Sequence, residues 1–339
     1  MLERASSMRD VARMAGVSLQ TVSRVANGEP HVADAKRERV LAAMQDLEYR
    51  PNSAARAMRR GAYRSVGVVY HSLHSVGTHR SLEEISERAV SHGYGTTIMP
   101  VAAASGRAAS SAFTRLGEMA VDAVIVVFPS PFGLDATLEI PTTVPLVVLG
   151  PPQGRGSSSV DFDQNGGATR AIEHLLALGH PTIHHIAGPA DSFSSAARTA
   201  AWRRLLEAQD RRVPDYDHGD WSAESGYLLA RRMLETETPS ALFVANDQMA
   251  LGAYRALAEV GLRVPDDVSV IGFDDVDEAA MYPPPLTTVA QDWEGLGRES
   301  LRVALSMTRG GDPEDICLPL RLIERHSTAP YRGERAALR

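Results

Sequence analysis

Val11-Ala12-Arg13-Met14-Ala15-Gly16-Val17-Ser18-Leu19-Gln20-Thr21-Val22-Ser23-Arg24-Val25-Ala26-Asn27 reads as two short helices joined by a tight turn. Val11, Ala12 and Ala15 share one face of the first helix; Val22, Val25 and Ala26 share one face of the second. Gly16 stands where the first helix must stop, because glycine enters the left-handed region without a Cβ penalty. Ser18 fits an N-cap for the second helix. Leu19, Gln20 and Arg24 fall on the face left free, and Gln and Arg suit paired hydrogen bonds to base edges in a major groove. The stretch predicts a helix-turn-helix with Ser18–Asn27 as recognition helix. The apolar spacing alone equally fits an ordinary helical hairpin.

Outward from this motif, Val40, Leu41, Met44 and Leu47 recur at helical spacing and predict a third helix over residues 34–48, with Asp34 as the cap in place of Ala33. Tyr49-Arg50-Pro51 ends it, since the residue before proline is pushed out of the α region. Asn52–Arg60 is rich in Ala and Arg and has one large apolar residue, Met58. So short a segment does not hold itself as an isolated helix, and it reads as a linker.

The charge is divided. Residues 1–60 carry eleven Lys/Arg against seven Asp/Glu, while the rest carries 24 against 35, within a chain of net charge −7. Basic side chains thus gather at the helix-turn-helix, as expected for a small module that meets phosphates. The 339 residues suffice for two or three domains. No apolar run is long enough to span a membrane, and no apolar N-terminal leader is visible. The single Cys317 excludes an internal disulfide and reads as a small buried hydrophobe.

After Arg64 apolar runs alternate with helical stretches. Ser65–Tyr70, Gly95–Val101, Ala123–Phe128 and Leu146–Leu149 read as strands, with helices over Ser81–His92 and Ala108–Ala120. The pattern repeats: helix Gly166–Leu178, strand Thr182–Ala187, helices Ala196–Ala208 and Ala223–Thr236, strand Ala241–Val244, helix Gln248–Val260, strand Val268–Phe273. This order predicts parallel sheets covered by helices, in two lobes with a cleft at the strand ends.

The string Ala-Gly-Val-Ser-x-Gln-Thr-Val-Ser-Arg-Val (15–25), followed by Tyr49-Arg50-Pro51-Asn52, resembles the headpiece of the LacI/GalR family of bacterial transcription regulators. The likeness continues through Glu173-His174-Leu175, Leu178-Gly179-His180, Ala187-Gly188-Pro189, Gly219-Asp220-Trp221-Ser222-Ala223 and Gly261-Leu262-Arg263-Val264. It is closest at Val244-Ala245-Asn246-Asp247-Gln248-Met249-Ala250-Leu251-Gly252-Ala253 and Gly272-Phe273-Asp274-Asp275. The resemblance implies an all-α helix-turn-helix headpiece (1–50), a hinge helix (51–62), a two-lobed core like periplasmic sugar-binding proteins (63–330) and a short tail (331–339). Lobe 1 would hold about 63–161 and 293–321, and lobe 2 about 162–292 and 322–330, with Trp293–Met307 crossing back onto lobe 1. It further implies a homodimer on pseudo-palindromic operator DNA. Leu19, Gln20 and Arg24 would read bases, while Thr21, Ser23 and Asn27 meet phosphates or neighbouring bases. The hinge would present Asn52, Ala55 and Met58 to the minor groove, Met58 standing where the family has a Leu wedge.

Several residues suit a saccharide. Arg198 offers a fork of donors, Asn246 donates and accepts, Asp274 accepts hydroxyl protons and Trp221 offers a flat apolar face. Phe162, Gln291 and Trp293 would complete the cleft, with His71 from the first lobe. Arg198 and Asp274 also fit a plain ion pair, and Trp221 a core position. The first lobe departs from the family pattern: Gly150 replaces an Asp, Val127 an Asn and His71 a Ser, so a galactoside is not implied.

No nucleophile elbow, phosphate-binding loop or dinucleotide fingerprint is present. His184 and His185 are adjacent in a strand, so their rings point to opposite faces. Asp274, Asp275 and Asp277 form one acidic loop without metal-ligand spacing. The expectation is a cytoplasmic, nucleoid-associated regulator without cofactor or metal, released from DNA by a sugar or glycoside, corepression being the other sign. A solute-binding protein of a sugar transport system is the alternative. Ser327–Arg339 has no heptad, which predicts a dimer that stays a dimer.

Overall fold

The computed structural model describes residues 6–49, 62–73, 75–101, 115, 120–127, 144–153 and 156–333. Its contacts divide into two units, Met1–Arg64 and Ser65–Arg339.

The first unit holds α1 (Met8–Ala15), α2 (Leu19–Ala26) and α3 (Asp34–Asp46). Ser7 opens α1 in a capping box with Asp10, and Gly16 closes it at φ 63°. Ser18 accepts from the Thr21 N–H and opens α2. Val11, Ala15, Val22, Val25, Val40 and Met44 make the core. Two expectations need correction. No side chain caps α3; Asp34 is its first residue, and its charge is favourable at the positive end of the helix dipole. Leu41 is 51% exposed, and Ala43 is buried beside Val40 and Met44 instead. The inward stripe runs 40, 43, 44, and Leu41 sits about 100° round the helix.

In the second unit a six-stranded parallel sheet has the order β2 (Gly95–Pro100), β1 (Ser65–Tyr70), β3 (Ala123–Val127), β4 (Leu146–Leu149), β5 (Ser158–Phe162), β11 (Asp315–Leu318). A second parallel sheet runs β7 (Asp217–His218), β6 (His184–Ala187), β8 (Ala241–Val244), β9 (Ser269–Ile271). Every residue of β3, β4, β6 and β8 is buried, as continuous apolar runs demand when both sheet faces are covered. The antiparallel pair β10 (Thr288–Ala290) and β12 (Arg321–Ile323) lies beside the second sheet.

Among the described residues the sheets are covered by α4 (Val76–Ser91), α5 (Gln164–Ala177), α6 (Phe193–Ala208), α7 (Ala223–Thr236), α8 (Asp247–Glu259) and α9 (Trp293–Met307). Helix α4 begins five residues before the expected Ser81, because Ser75 caps it by accepting from Thr78 N–H. Helix α9 spans Trp293–Met307 and packs on α4, where Gly297 meets the Glu84 backbone so closely that an added Cβ would lie 2.8 Å from it. The helix expected over Ala108–Ala120 lies almost wholly outside the described residues. Strands β5, β7, β10, β11 and β12 were not foreseen from the pattern; each is short or mixes polar residues with apolar ones.

His185 sits fully buried in the second lobe, stacked on Phe243 at 4.9 Å. Its Nδ1 lies 2.9 Å from the Phe243 carbonyl and its Nε2 3.1 Å from Thr199 Oγ1. A carbonyl only accepts, so Nδ1 carries the proton and Nε2 accepts from Thr199. Burial pushes this imidazole from the ordinary 6.5 down to about 4. Between those values the unfolded chain takes a proton that the folded chain refuses. The contribution of His185 is therefore complete above pH 6.5 and is lost as pH falls towards 4, by about 3 kcal/mol. Denaturant melts of wild type and His185→Phe across that range are expected to show the wild type losing more stability on acidification. Parallel pH profiles would remove this account.

Candidate functional site

On the first unit, Leu19, Gln20 and Arg24 stand exposed on the outer face of α2, opposite Val22 and Val25. Leu19 is 44% exposed. Arg24 Nε lies 3.8 Å from Glu29, a loose contact. Thr21 is joined to the Ser18 cap at 3.0 Å, and Asn27 Nδ2 donates to Ser23 Oγ at 3.3 Å, so these three support the helix as well as its face. Arg9, Arg13, Lys36 and Arg39 are exposed around it. Asn52, Ala55 and Met58 lie outside the described residues.

Within the second unit a cavity of about 400 Å³ opens between the two sheets. Phe162, Arg198, Trp221, Asn246, Asp274, Gln291 and Trp293 all line it. The strand ends and the helix starts that follow them deliver these side chains, as in open α/β sheets generally.

A closed polar ring forms the second-lobe wall. Arg198 Nε donates to Gln164 Oε1 at 2.8 Å, Gln164 Nε2 donates to Gln291 Oε1 at 3.3 Å, and Gln291 Nε2 donates to Asp274 Oδ1 at 2.6 Å. Arg198 Nη2 closes the ring on the same Asp274 oxygen at 3.4 Å, and Nη1 donates to the Ala245 carbonyl. The guanidinium lies 3.6 Å over the Phe273 ring and 5.6 Å from Trp221. Burial pushes Asp274 up to about 6, against the pull of Arg198 and Gln291. Desolvation thus outweighs the ion pair, and Arg198 is itself pushed down by burial. Asp247 stands behind, buried, held by the Val276 N–H at 3.0 Å and by Thr288 Oγ1 at 2.6 Å. Burial and the Asp274 charge raise it well above the carboxylate range. Trp221 and Asp274 both hold positive φ, 74° and 109°, a backbone form that clusters at binding sites.

Asn246 has a second task. Its Oδ1 caps α8 by accepting from Met249 N–H at 3.0 Å, and its Nδ2 donates to the Trp221 carbonyl and to Gln248. Phe162 meets Trp293 edge-on at 5.1 Å.

His71 is not brought to the cavity. Its ring nitrogen bonds the Val101 carbonyl at 3.0 Å, and the residue is exposed. Cys317 is also corrected: it is exposed and lines the cavity. On edge strand β11 the alternation turns Ile316 and Leu318 inward and Cys317 outward. Three carboxylates thought of as one acidic loop each face their own arginine. Asp274 meets Arg198, Asp275 meets Arg325 at 2.6 Å, and Asp277 meets Arg80 at 2.9 Å. His184 and His185 point to opposite faces, towards Glu237 and towards Thr199. Sequence reasoning missed Gln164, Asp161 and Asp247. The first two sit at the carboxyl end of β5 and the start of α5, where polar residues merit scrutiny in any such sheet.

Residues 7–52 match the family "Bacterial regulatory proteins, lacI family", and residues 172–328 match the "Periplasmic binding protein-like domain". The Lactose operon repressor of Escherichia coli (strain K12) is 36% identical over 336 residues, covering 98% of this chain and 93% of that protein. The crystal structure of the lac repressor dimer bound to operator and the anti-inducer ONPF superposes with a TM-score of 0.87 at 36% identity, over 96% of this chain and all of that one. The transcriptional regulator CelR–cellobiose complex gives 0.69 at 30% identity, over 95% and 99%. A helix-turn-helix on a two-lobed ligand-binding core defines a ligand-responsive, DNA-binding transcriptional repressor and sets aside the transport protein. The chain belongs to the lacI family of bacterial regulatory proteins.

Proposed function

We propose that a homodimer of this chain binds a pseudo-palindromic operator and is released when a sugar or glycoside fills the cavity between the lobes. Leu19, Gln20 and Arg24 read base edges, with Thr21, Ser23 and Asn27 on phosphates or neighbouring bases. The 51–62 segment joins the headpiece to the core, and Asn52, Ala55 and Met58 enter the minor groove at the centre of the site. The protein acts in the cytoplasm, at the nucleoid, without a cofactor. The cavity carries the reading: polar Arg198, Gln164, Gln291 and Asp274 on one wall, aromatic Trp221, Phe162 and Trp293 around it. That pairing of polar edge and ring face suits a pyranose. The effector shifts the equilibrium only by its differential affinity for the two arrangements of the lobes. Operator DNA must then weaken effector binding by the same factor.

A gel shift against DNA upstream of the protein's own gene, with and without sugars, tests this. Gln20→Ala and Arg24→Ala are each expected to lower specific affinity by about 1–3 kcal/mol, with non-specific binding nearly unchanged. Specific binding untouched by both substitutions would remove α2 as the reading helix.

A further inference from the structure

The ionisable carboxylates and guanidinium lining the cavity are Asp161, Asp163, Asp274 and Arg198. Asp274 and Arg198 answer each other. Asp163 caps α5 by accepting from Gly166 N–H at 2.8 Å. Asp161 has no ion pair among the described residues: its Oδ1 takes the Phe162 N–H at 2.8 Å, and Arg198 acts on it only at longer range. In register Asp161 lies beside Cys317 of β11, on the sheet face opposite Val160 and Leu149.

The parallel register sets what stands beside this carboxylate. Leu149 pairs with Val160, and Gly150 N–H donates to the Val160 carbonyl at 3.1 Å, so Gly150 stands beside Asp161 at the mouth of β4 and β5. Among the described residues nothing lies within 4 Å of where a Cβ on Gly150 would be. The residue that lacks a side chain clears the approach to the one that carries a charge. Asp161 is desolvated, which raises it to about 6, so it is mostly ionised at pH 7.5 and in want of a donor.

We propose that Asp161 sets effector specificity in the first lobe: it accepts hydrogen bonds from a saccharide that presents a donor there, best a protonated amine, and it bars phosphorylated and acidic sugars. This rests on the cavity being the effector site. No second guanidinium or ammonium lines the cavity among the described residues to receive an anion. A phosphate or carboxylate would add like charge to a site already rich in it.

The test is a thermal-shift and calorimetric series on the full-length protein with glucosamine, glucose, glucuronate and glucose 6-phosphate, and with their galacto counterparts. The amino sugar is expected to bind tightest, the neutral sugar next, and the two anions not at all. Asp161→Asn keeps the side-chain size and the acceptor for Phe162 N–H, so its unliganded melting temperature is expected to stay close to wild type. It should bind the amino sugar about tenfold more weakly, a change of about 1.4 kcal/mol, and lose the preference for it over the neutral one. An anionic sugar that binds as tightly as its neutral parent overturns the proposal, as does an Asp161→Asn protein with unchanged ranking. If Arg198→Ala abolishes binding while Asp161→Asn changes nothing, the cavity remains the effector site and the Asp161 assignment falls. Binding that neither substitution touches, or no stabiliser in the series, counts against both readings.

Discussion

An Arg198→Ala protein is expected to hold its operator at every sugar concentration, with effector affinity down at least about a hundredfold. Arg198 is 3% exposed and joins four groups: Gln164, Ala245, Asp274 and the Phe273 face. Removing one member of a buried, hydrogen-bonded charge pair costs about 2–5 kcal/mol, much of it from the partner left behind. Here that partner is Asp274, which then takes up a proton more readily. Its folded pKa rises above the wild-type value of about 6, so relative to wild type the variant should be weakest at high pH and should recover as pH falls towards about 6, the difference levelling off below that. Lysine is no rescue, because it lacks the planar fork that spans Gln164 and Asp274 together. The measurement is operator release against sugar concentration. Sugar-driven release at wild-type concentrations would show that Arg198 is merely a core ion pair.

The second large effect concerns two glycines far less conspicuous than the cavity. Gly252 on α8 touches α7 so closely that an added Cβ would lie 1.9 Å from the Ala223 carbonyl oxygen and 2.5 Å from the Tyr227 nitrogen. From the other side, a Cβ on Gly226 would lie 2.2 Å from the Met249 carbonyl oxygen. These obstacles are backbone atoms, so no rotamer change relieves them and the helices must separate. Gly252→Ala is expected to destabilise the core by about 3–5 kcal/mol and to lower its melting temperature by on the order of 10 °C. Because α8 begins at the Asn246 cap and α7 follows directly on Trp221, the same separation should weaken effector binding. Gly226→Ala should act alike, and the double variant should lose less than the sum, since one separation serves both. Strict additivity in urea melts would mean the two contacts are independent.

The helix-turn-helix was legible because its determinants are local: the Ser18 cap, one left-handed glycine and an apolar stripe within about twenty residues. The inner strands were legible because burial on both faces leaves an unbroken apolar run. Strand β5 was not, and the reason lies far along the chain. Ser158 Oγ accepts from Glu314 N–H at 2.9 Å, and Ser159 Oγ donates to Asp315 at 2.7 Å. Those polar groups are buried only because β11 satisfies them from 156 residues away. Within the cavity, Arg198 and Asp274 could be read as ligand donors or as an ion pair, and the two descriptions are one arrangement. His71 is not among the residues lining the cavity; the Val101 carbonyl holds its ring, and nothing in its own neighbourhood of sequence announces that bond. Asp161 was passed over for the opposite reason: in the string Ser-Ser-Val-Asp-Phe it looks like an ordinary polar alternate.

The place of β11 and α9 in the six-stranded sheet governs the order in which the molecule can mature. The outer strand of that sheet and the helix that covers it are made only after β6, β7, β8 and β9 of the other sheet. The first-made lobe therefore waits, one edge open, until the whole of the second has been synthesised. Neither half can be cut out by a single break in the gene, and a nascent chain stalled near residue 290 should expose the bare flank of β5 to chaperones.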